Sequence, residues 1–140
     1  MHRHGYKGRK LGRKRDERRN LIKGLATSLF EEGSITTTLP KAKTVVPYAE
    51  RLMTHAKKGT LAGKRKVFAS VTTKEAAHAL IDEWAVELDD RTSGHFRIIK
   101  QGHRRGDDAL MATVSFVEPL EKSKAKSSKT KTKTKAKETA

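Results

Sequence analysis

Leu21, Ile22, Leu25, Ala26, Leu29 and Phe30 recur at the spacing of one helical face, and Gly33 supplies the left-handed residue that commonly closes a helix. A helix is therefore expected over about residues 16–32. In the next run, SITTTL, Ile35, Thr37 and Leu39 alternate with Thr36 and Thr38, a half-buried strand pattern that ends at Pro40. Ala42, Val45, Val46, Ala49, Leu52, Met53 and Ala56 then form the clearest helical stripe, interrupted by Pro47. A proline inside a helix removes one backbone donor and crowds the preceding turn, so the pattern predicts either a kink or a helix that begins near Pro47. Gly59 and Thr60 mark a break and an N-cap ahead of a short basic helix, LAGKRKVFAS. Thr72 and Glu75 have capping-box spacing before the stripe Ala77, Leu80, Ile81, Trp84 and Leu88, which predicts a helix over about residues 73–89. After Thr92, Ser93 and Gly94, the runs FRIIKQ and ALMATVSFVE flank the polar loop GHRRGDDA and read as a hairpin with Ala112, Val114 and Phe116 on its apolar face.

The order α-β-α-α-α-β-β implies an α+β fold, a small three-stranded sheet with helices packed on it. A chain of 140 residues suits one modest core, so residues 1–120 are expected to form a single domain, with a basic arm at 1–15 and a globular body at 16–120. From residue 121 onward, EKSKAKSSKTKTKTKAKETA has almost nothing apolar. Such a tail cannot offset an ordering cost of about 1–2 kcal/mol per residue and is expected to be disordered when free.

Charge changes the picture. The net charge is +16, yet residues 1–19 hold nine basic against two acidic side chains, and residues 121–140 hold eight lysines against two glutamates. A body of only +3 thus carries two strongly basic ends, more than the charge of about 2–8 that solubility asks of a small domain. Extended basic segments of this kind neutralise polyanions.

Other chemistries find little support. The chain has no cysteine, which excludes disulfides, a thiol nucleophile and thiolate metal sites, and fits a reducing, cytosolic setting. No apolar stretch approaches the roughly 18 residues of a membrane span, and neither a secretory signal nor a transit peptide is expected. There is no phosphate-binding loop, dinucleotide fingerprint, nucleophile elbow or His-Glu zinc helix, so no catalytic residue and no cofactor is expected. His2 and His4 could share a metal ion, but lack a third ligand nearby; no metal is expected, and stacking on bases or contact with phosphate suits them better. The neighbouring acids Asp89 and Asp90 sit at a helix end, and Asp107 and Asp108 at a hairpin tip, where they are expected to orient Arg104 and Arg105 rather than to catalyse. His78 reads as an ordinary helix-flank residue, and the tripeptide Arg105-Gly106-Asp107 as a coincidence with the adhesion motif.

The basic residues make a coherent set. The arm contributes Arg3, Lys7, Arg9, Lys10, Arg13, Lys14, Arg15, Arg18 and Arg19; the helical body adds Lys57, Lys58, Lys64, Arg65 and Lys66; the hairpin adds Arg97, Lys100, Arg104 and Arg105. Glycines 5, 8 and 12 keep the arm pliable, His4 and Tyr6 offer stacking surfaces, and Leu21, Ile22 and Leu25 are expected to fix its base. Several separate basic loops and an extended arm suit folded RNA better than a regular duplex, which calls for one element shaped to a groove. On physics alone a structural RNA-binding protein, a basic DNA-binding protein of nucleoid or regulatory type, and, more weakly, an RNA-acting enzyme remain open.

The motifs GRKLGR, TTTLPKAK, PYAERLMTHAKKGTLAGKRKVF and RIIKQGHRRGDDALMATVSFVE, in this order over about residues 1–118, closely resemble those of the bacterial large ribosomal subunit protein seventeen family. The resemblance implies a non-enzymatic, cytoplasmic constituent of the large ribosomal subunit. Its partners would be large-subunit (23S) ribosomal RNA near the exit of the nascent-peptide tunnel and neighbouring ribosomal proteins, with no membrane and no small-molecule substrate. Carried over residue by residue, it places Arg3, His4, Gly8, Arg9, Lys10, Leu11 and Arg13 against rRNA. Thr37, Thr38, Leu39, Pro40, Lys41 and Lys43 match the junction motif, and Arg97, Lys100, Gly102, Arg105, Gly106 and Asp107 the hairpin motif. The full rRNA-binding set expected is Arg3, His4, Lys7, Gly8, Arg9, Lys10, Arg13, Lys14, Arg15, Arg18, Arg19, Lys41, Lys43, Lys64, Arg65, Arg97, Lys100, His103, Arg104 and Arg105.

Overall fold

A computed structural model describes residues 8–118. Helix α1 (Arg15–Glu32) leads through Gly33 into β1 (Ser34–Thr38), followed by α2 (Leu39–Lys57) and α3 (Leu61–Ser70). Residues 74–87 form one continuous fourth helix: Lys74–His78 and Ala85–Glu87 are α-helical, and the Ala79–Trp84 stretch between them is π-helical. Strands β2 (Phe96–His103) and β3 (Leu110–Phe116) close the chain order. The sheet is antiparallel with β3 in the middle, in the order β1-β3-β2, so the architecture is the expected α+β.

Alternation on the central strand builds the core. Ala112, Val114 and Phe116 are buried under the helices, while Met111, Thr113 and Ser115 point to the open face and stay half-buried. Ile35 and Ile98, the partners of Val114 on either side, pack against the same core. At the root of the hairpin Phe96 pairs with Phe116 across the strands, ring centroids 4.6 Å apart, and Phe30 lies 6.4 and 6.5 Å from these two rings. Trp84 stacks face to face on Phe116 at 3.6 Å and donates its indole N–H to the Phe30 carbonyl at 2.9 Å. The π-helical turn coincides with this tryptophan. Along this stretch Leu80, Trp84 and Ala85 are buried, and Ile81 packs against the core from a half-buried position.

Two glycines are fixed by close approach. Gly33 closes α1 at φ +76°, its N–H bonded to the Leu29 carbonyl, and a Cβ there would lie 3.2 Å from the Trp84 ring. At Gly63 a Cβ would lie 2.5 Å from the His55 carbonyl oxygen, so α3 can cross α2 this closely only without a side chain.

Several local expectations need correction. Helix α2 begins at Leu39, with Pro40 in its first turn, and runs through Pro47, which is exposed; it does not begin near Pro47. The cap of the fourth helix is Thr73, whose hydroxyl accepts from the Ala76 N–H, whereas Thr72 directs its N–H to the Thr27 hydroxyl at 3.0 Å. The Thr60 cap is as expected, its side chain accepting from the Gly63 N–H at 3.1 Å. On α1, Ala26, Thr27, Leu29 and Phe30 are the buried positions. Of the three expected anchors of the arm, Leu25 packs on the core from a half-buried position, while the equally half-buried Leu21 and Ile22 lie outside the core cluster, so the anchor sits about one turn after the first of them.

Candidate nucleic-acid interface

Three exposed segments present the basic side chains. The first is the described part of the arm, where Leu11 (φ +53°) and Gly12 (φ +63°) form a left-handed turn closed by the Arg13 N–H to the Lys10 carbonyl at 3.1 Å. Gly8, Arg9, Lys10, Arg13, Lys14, Arg15 and Arg19 are exposed, and Arg18 is half-exposed with its guanidinium toward the Arg13 carbonyl. Glu17 accepts from the Lys14 backbone N–H at 3.3 Å and, with Asp16, places acid in the first turn, where the helix dipole favours it. Arg3, His4 and Lys7, with His2, Gly5 and Tyr6, lie outside the described residues, as does the expected tail at residues 121–140.

The second segment is the hairpin tip. The ladder slips between Lys100 and Gly102, leaving Gln101 as an extra residue, and residues 104–109 turn the chain, with the Arg104 N–H on the Ala109 carbonyl at 2.9 Å. Asp107 takes a two-pronged bond from the Arg104 guanidinium at 2.9 and 2.5 Å. That hydrogen bond first, then the backbone N–H groups and charge around it, lowers the Asp107 carboxyl to about 2 and raises Arg104 further above its ordinary value. Asp108 pairs with His103 at 3.1 Å. The expectation that the acids orient both arginines therefore holds for Arg104 alone; Arg105 has no ion-pair partner among the described residues. Lys100, His103 and Arg105 are exposed, and Arg97, on the open face, donates to the Val117 carbonyl at 2.6 Å. Since Thr38 pairs with Met111, next to the Leu110–His103 pair, the start of α2 with Lys41 (half-buried) and Lys43 (exposed) lies at the same end of the sheet as this tip.

The third segment is the outer side of α3, where Lys64, Arg65 and Lys66 are exposed between the buried Gly63 and Val67. Burial first, then the charges of Lys66 and Lys58, lowers the His55 imidazole below its ordinary value where α2 meets α3. Lys57 leaves the set: its ammonium donates to the carbonyls of Leu88, Asp89 and Arg91 and closes the end of the fourth helix.

No group of His, Cys, Asp and Glu suited to a metal ion occurs among the described residues, and no described helix is long and apolar enough to cross a membrane. One titratable contact has no counterpart in the sequence pattern. His95, fully buried, meets Glu50 at 2.6 Å through Nδ1, and Glu50 also accepts the backbone N–H groups of His95 (2.8 Å) and Phe96 (3.2 Å). The other ring nitrogen faces the Arg91 carbonyl at 3.1 Å. This joint fixes the entry to β2 on α2 and is scaffold rather than interface.

Residues 21–117 match the family model described as ribosomal protein L17. The chain belongs to that family. It is 50% identical over 116 residues to the large ribosomal subunit protein bL17 of Campylobacter lari, an alignment covering 83% of this chain and 97% of that protein. It is thus a ribosomal protein, a structural constituent of the large subunit working in translation in the cytoplasm, associated with large-subunit rRNA and ribosomal proteins. The L17 family is structural and non-enzymatic in general, which agrees with the lack of a catalytic motif in the sequence.

Proposed function

We propose that this chain binds 23S rRNA directly near the exit of the nascent-peptide tunnel, beside neighbouring ribosomal proteins, without catalysing a reaction. In this reading residues 1–120 act as one domain. Arm residues Arg3, His4, Lys7, Gly8, Arg9, Lys10, Arg13, Lys14, Arg15, Arg18 and Arg19, junction lysines Lys41 and Lys43, α3 residues Lys64 and Arg65, and hairpin residues Arg97, Lys100, His103, Arg104 and Arg105 would meet RNA, largely through phosphates. The observation that carries the reading is that the arm, the hairpin tip and the outer side of α3 are exposed and net basic, while the largest group of acids lies on another element: residues 74–90 hold six acids and a single lysine.

Filter binding of a 23S rRNA transcript across a salt series tests it. Log affinity should fall with log salt by about 0.7–0.9 per phosphate neutralised. Changing Lys10, Arg13 or Arg105 to Gln should each weaken binding and reduce the slope by about 1. A salt-insensitive affinity, or equal affinity for duplex DNA, refutes the reading. Deleting residues 121–140 should lower affinity while leaving incorporation into large subunits intact, as judged by sedimentation in sucrose.

A further inference from the structure

The acids of the fourth helix have no account so far. Asp89 and Asp90 follow its C-terminal end, where the helix dipole disfavours carboxylates, so helix stability does not explain them. They edge two adjoining hollows. One, of about 470 Å³, lies between the end of α2, the start of α3 and the fourth helix and is lined by the apolar Ala56, Ile81, Ala85 and Val86, by Asp82 and Asp89, and by Lys57 and Lys64. Val86 is 69% exposed there, and Asp82 is held by His78 at 3.1 Å. The other, of about 290 Å³, is lined by Glu87, Leu88, Asp90, Arg91 and Glu118. Glu118, the last described residue, is tied to Arg91 at 3.0 Å, so the chain leaves the body inside this second hollow.

What leaves there is the Lys-rich segment, eight lysines and two glutamates over residues 121–140. We propose that, in the protein free of RNA, this segment lies along the acid-edged groove of the fourth helix. Lysine stems cover Ile81, Ala85 and Val86, and their ammonium groups exchange among Glu87, Asp82, Asp89 and Asp90. Reach is ample: extended, 20 residues span about 65 Å, against about 21 Å for the helix. The contact is an exchanging one between solvated charges, and ionic strength governs it. RNA is disfavoured as the occupant by the six acids against one lysine over residues 74–90, and the tail's attachment beside the groove raises its local concentration above that of any free peptide. The acidic helix stands in for phosphate until RNA takes the tail.

The lack of cysteine allows a single spin label at Ser128→Cys in the full chain. At low salt the amide signals of Ile81, Asp82, Ala85, Val86, Asp89 and Asp90 should lose intensity, and recover in high salt, after reduction of the label, and in the isosteric variant Asp82→Asn/Asp89→Asn/Asp90→Asn. Adding poly(U) should restore them as well. Uniform broadening, broadening confined to other faces, or none at all overturns the proposal. So does broadening of a labelled chain by a separate spin-labelled copy, which would make the occupant a second molecule. The readout does not depend on 23S rRNA binding, so it fails or succeeds separately from the function proposed above.

Discussion

Replacing Glu50 by Ala strips the acceptor from three donors at once: the backbone N–H groups of His95 and Phe96 and the Nδ1 side of a fully buried imidazole. A buried donor left unpaired costs about 1–3 kcal/mol. Glu50 keeps a quarter of its side chain exposed, so water can reach part of the gap, and a total of about 3 kcal/mol follows rather than the full sum. In a domain of this size that lowers the thermal midpoint by about 10–20 °C. Glu50→Gln should behave differently. Its carbonyl can still accept both backbone N–H groups, and its amide keeps a hydrogen-bonding group beside Nδ1. The cost should then be only about 1 kcal/mol. Thermal melts followed by circular dichroism, with urea titrations for the free energies, separate the two variants. If Glu50→Ala melts within a degree or two of the unaltered protein, or if both variants lose the same amount, the carboxylate is not what secures β2 to α2.

Gly63→Ala should destabilise by about 1–3 kcal/mol, read by the same melts, because the added methyl meets the His55 carbonyl, which is backbone, at 2.5 Å. Trp84→Phe should cost about 1–2 kcal/mol in urea titrations, since the stack on Phe116 can persist while the Phe30 carbonyl loses its donor. Asp107 titrates at about 2 because Arg104 holds its charged form, so Arg104→Ala should return it to the ordinary carboxylate range, as followed by carbon chemical shifts against pH. The sign follows from the depressed value: the pair's contribution is present above the ordinary carboxylate range and disappears as pH falls toward 2, and the exposed position keeps it small.

What was legible in the sequence is what depends on period alone. The α2 stripe, the alternation of Ala112, Val114 and Phe116, and the glycine stop at Gly33 all report burial on one face, and the structure places each accordingly. The misplaced details share a cause: they depend on contacts distant in sequence. Nothing in the helical period announces the π-helical stretch Ala79–Trp84, which ends on the tryptophan that stacks on Phe116. Thr72 fits the capping pattern, yet Thr27, 45 residues earlier, takes its N–H and hands the cap to Thr73. Lys57 reads as one more basic residue until Leu88, Asp89 and Arg91 are seen around its ammonium. His95 and Glu50 each look like surface residues, and only folding brings them together. In the interface, the exposed cations were readable one by one; which of them are already engaged was not.

The engaged cations give the interface its shape. Arg104 is committed to Asp107 and Arg97 to the Val117 carbonyl, so two of the hairpin's four arginines and lysines hold its form, and the His103 contact with Asp108 adds to the brace. The Phe96, Phe116 and Trp84 cluster fixes the root of the same hairpin, and the Glu50 joint fixes the entry to its first strand. A tip braced at both ends has less conformational entropy to lose when it meets a phosphate surface than a free basic loop would, which favours a defined placement. By composition the Lys-rich segment offers many equivalent charges, which in the proposed reading add affinity without register. The arm lies between these extremes: its described part turns once at Leu11 and Gly12, and α1 is secured to the core from Leu25 onward, which fixes its point of departure.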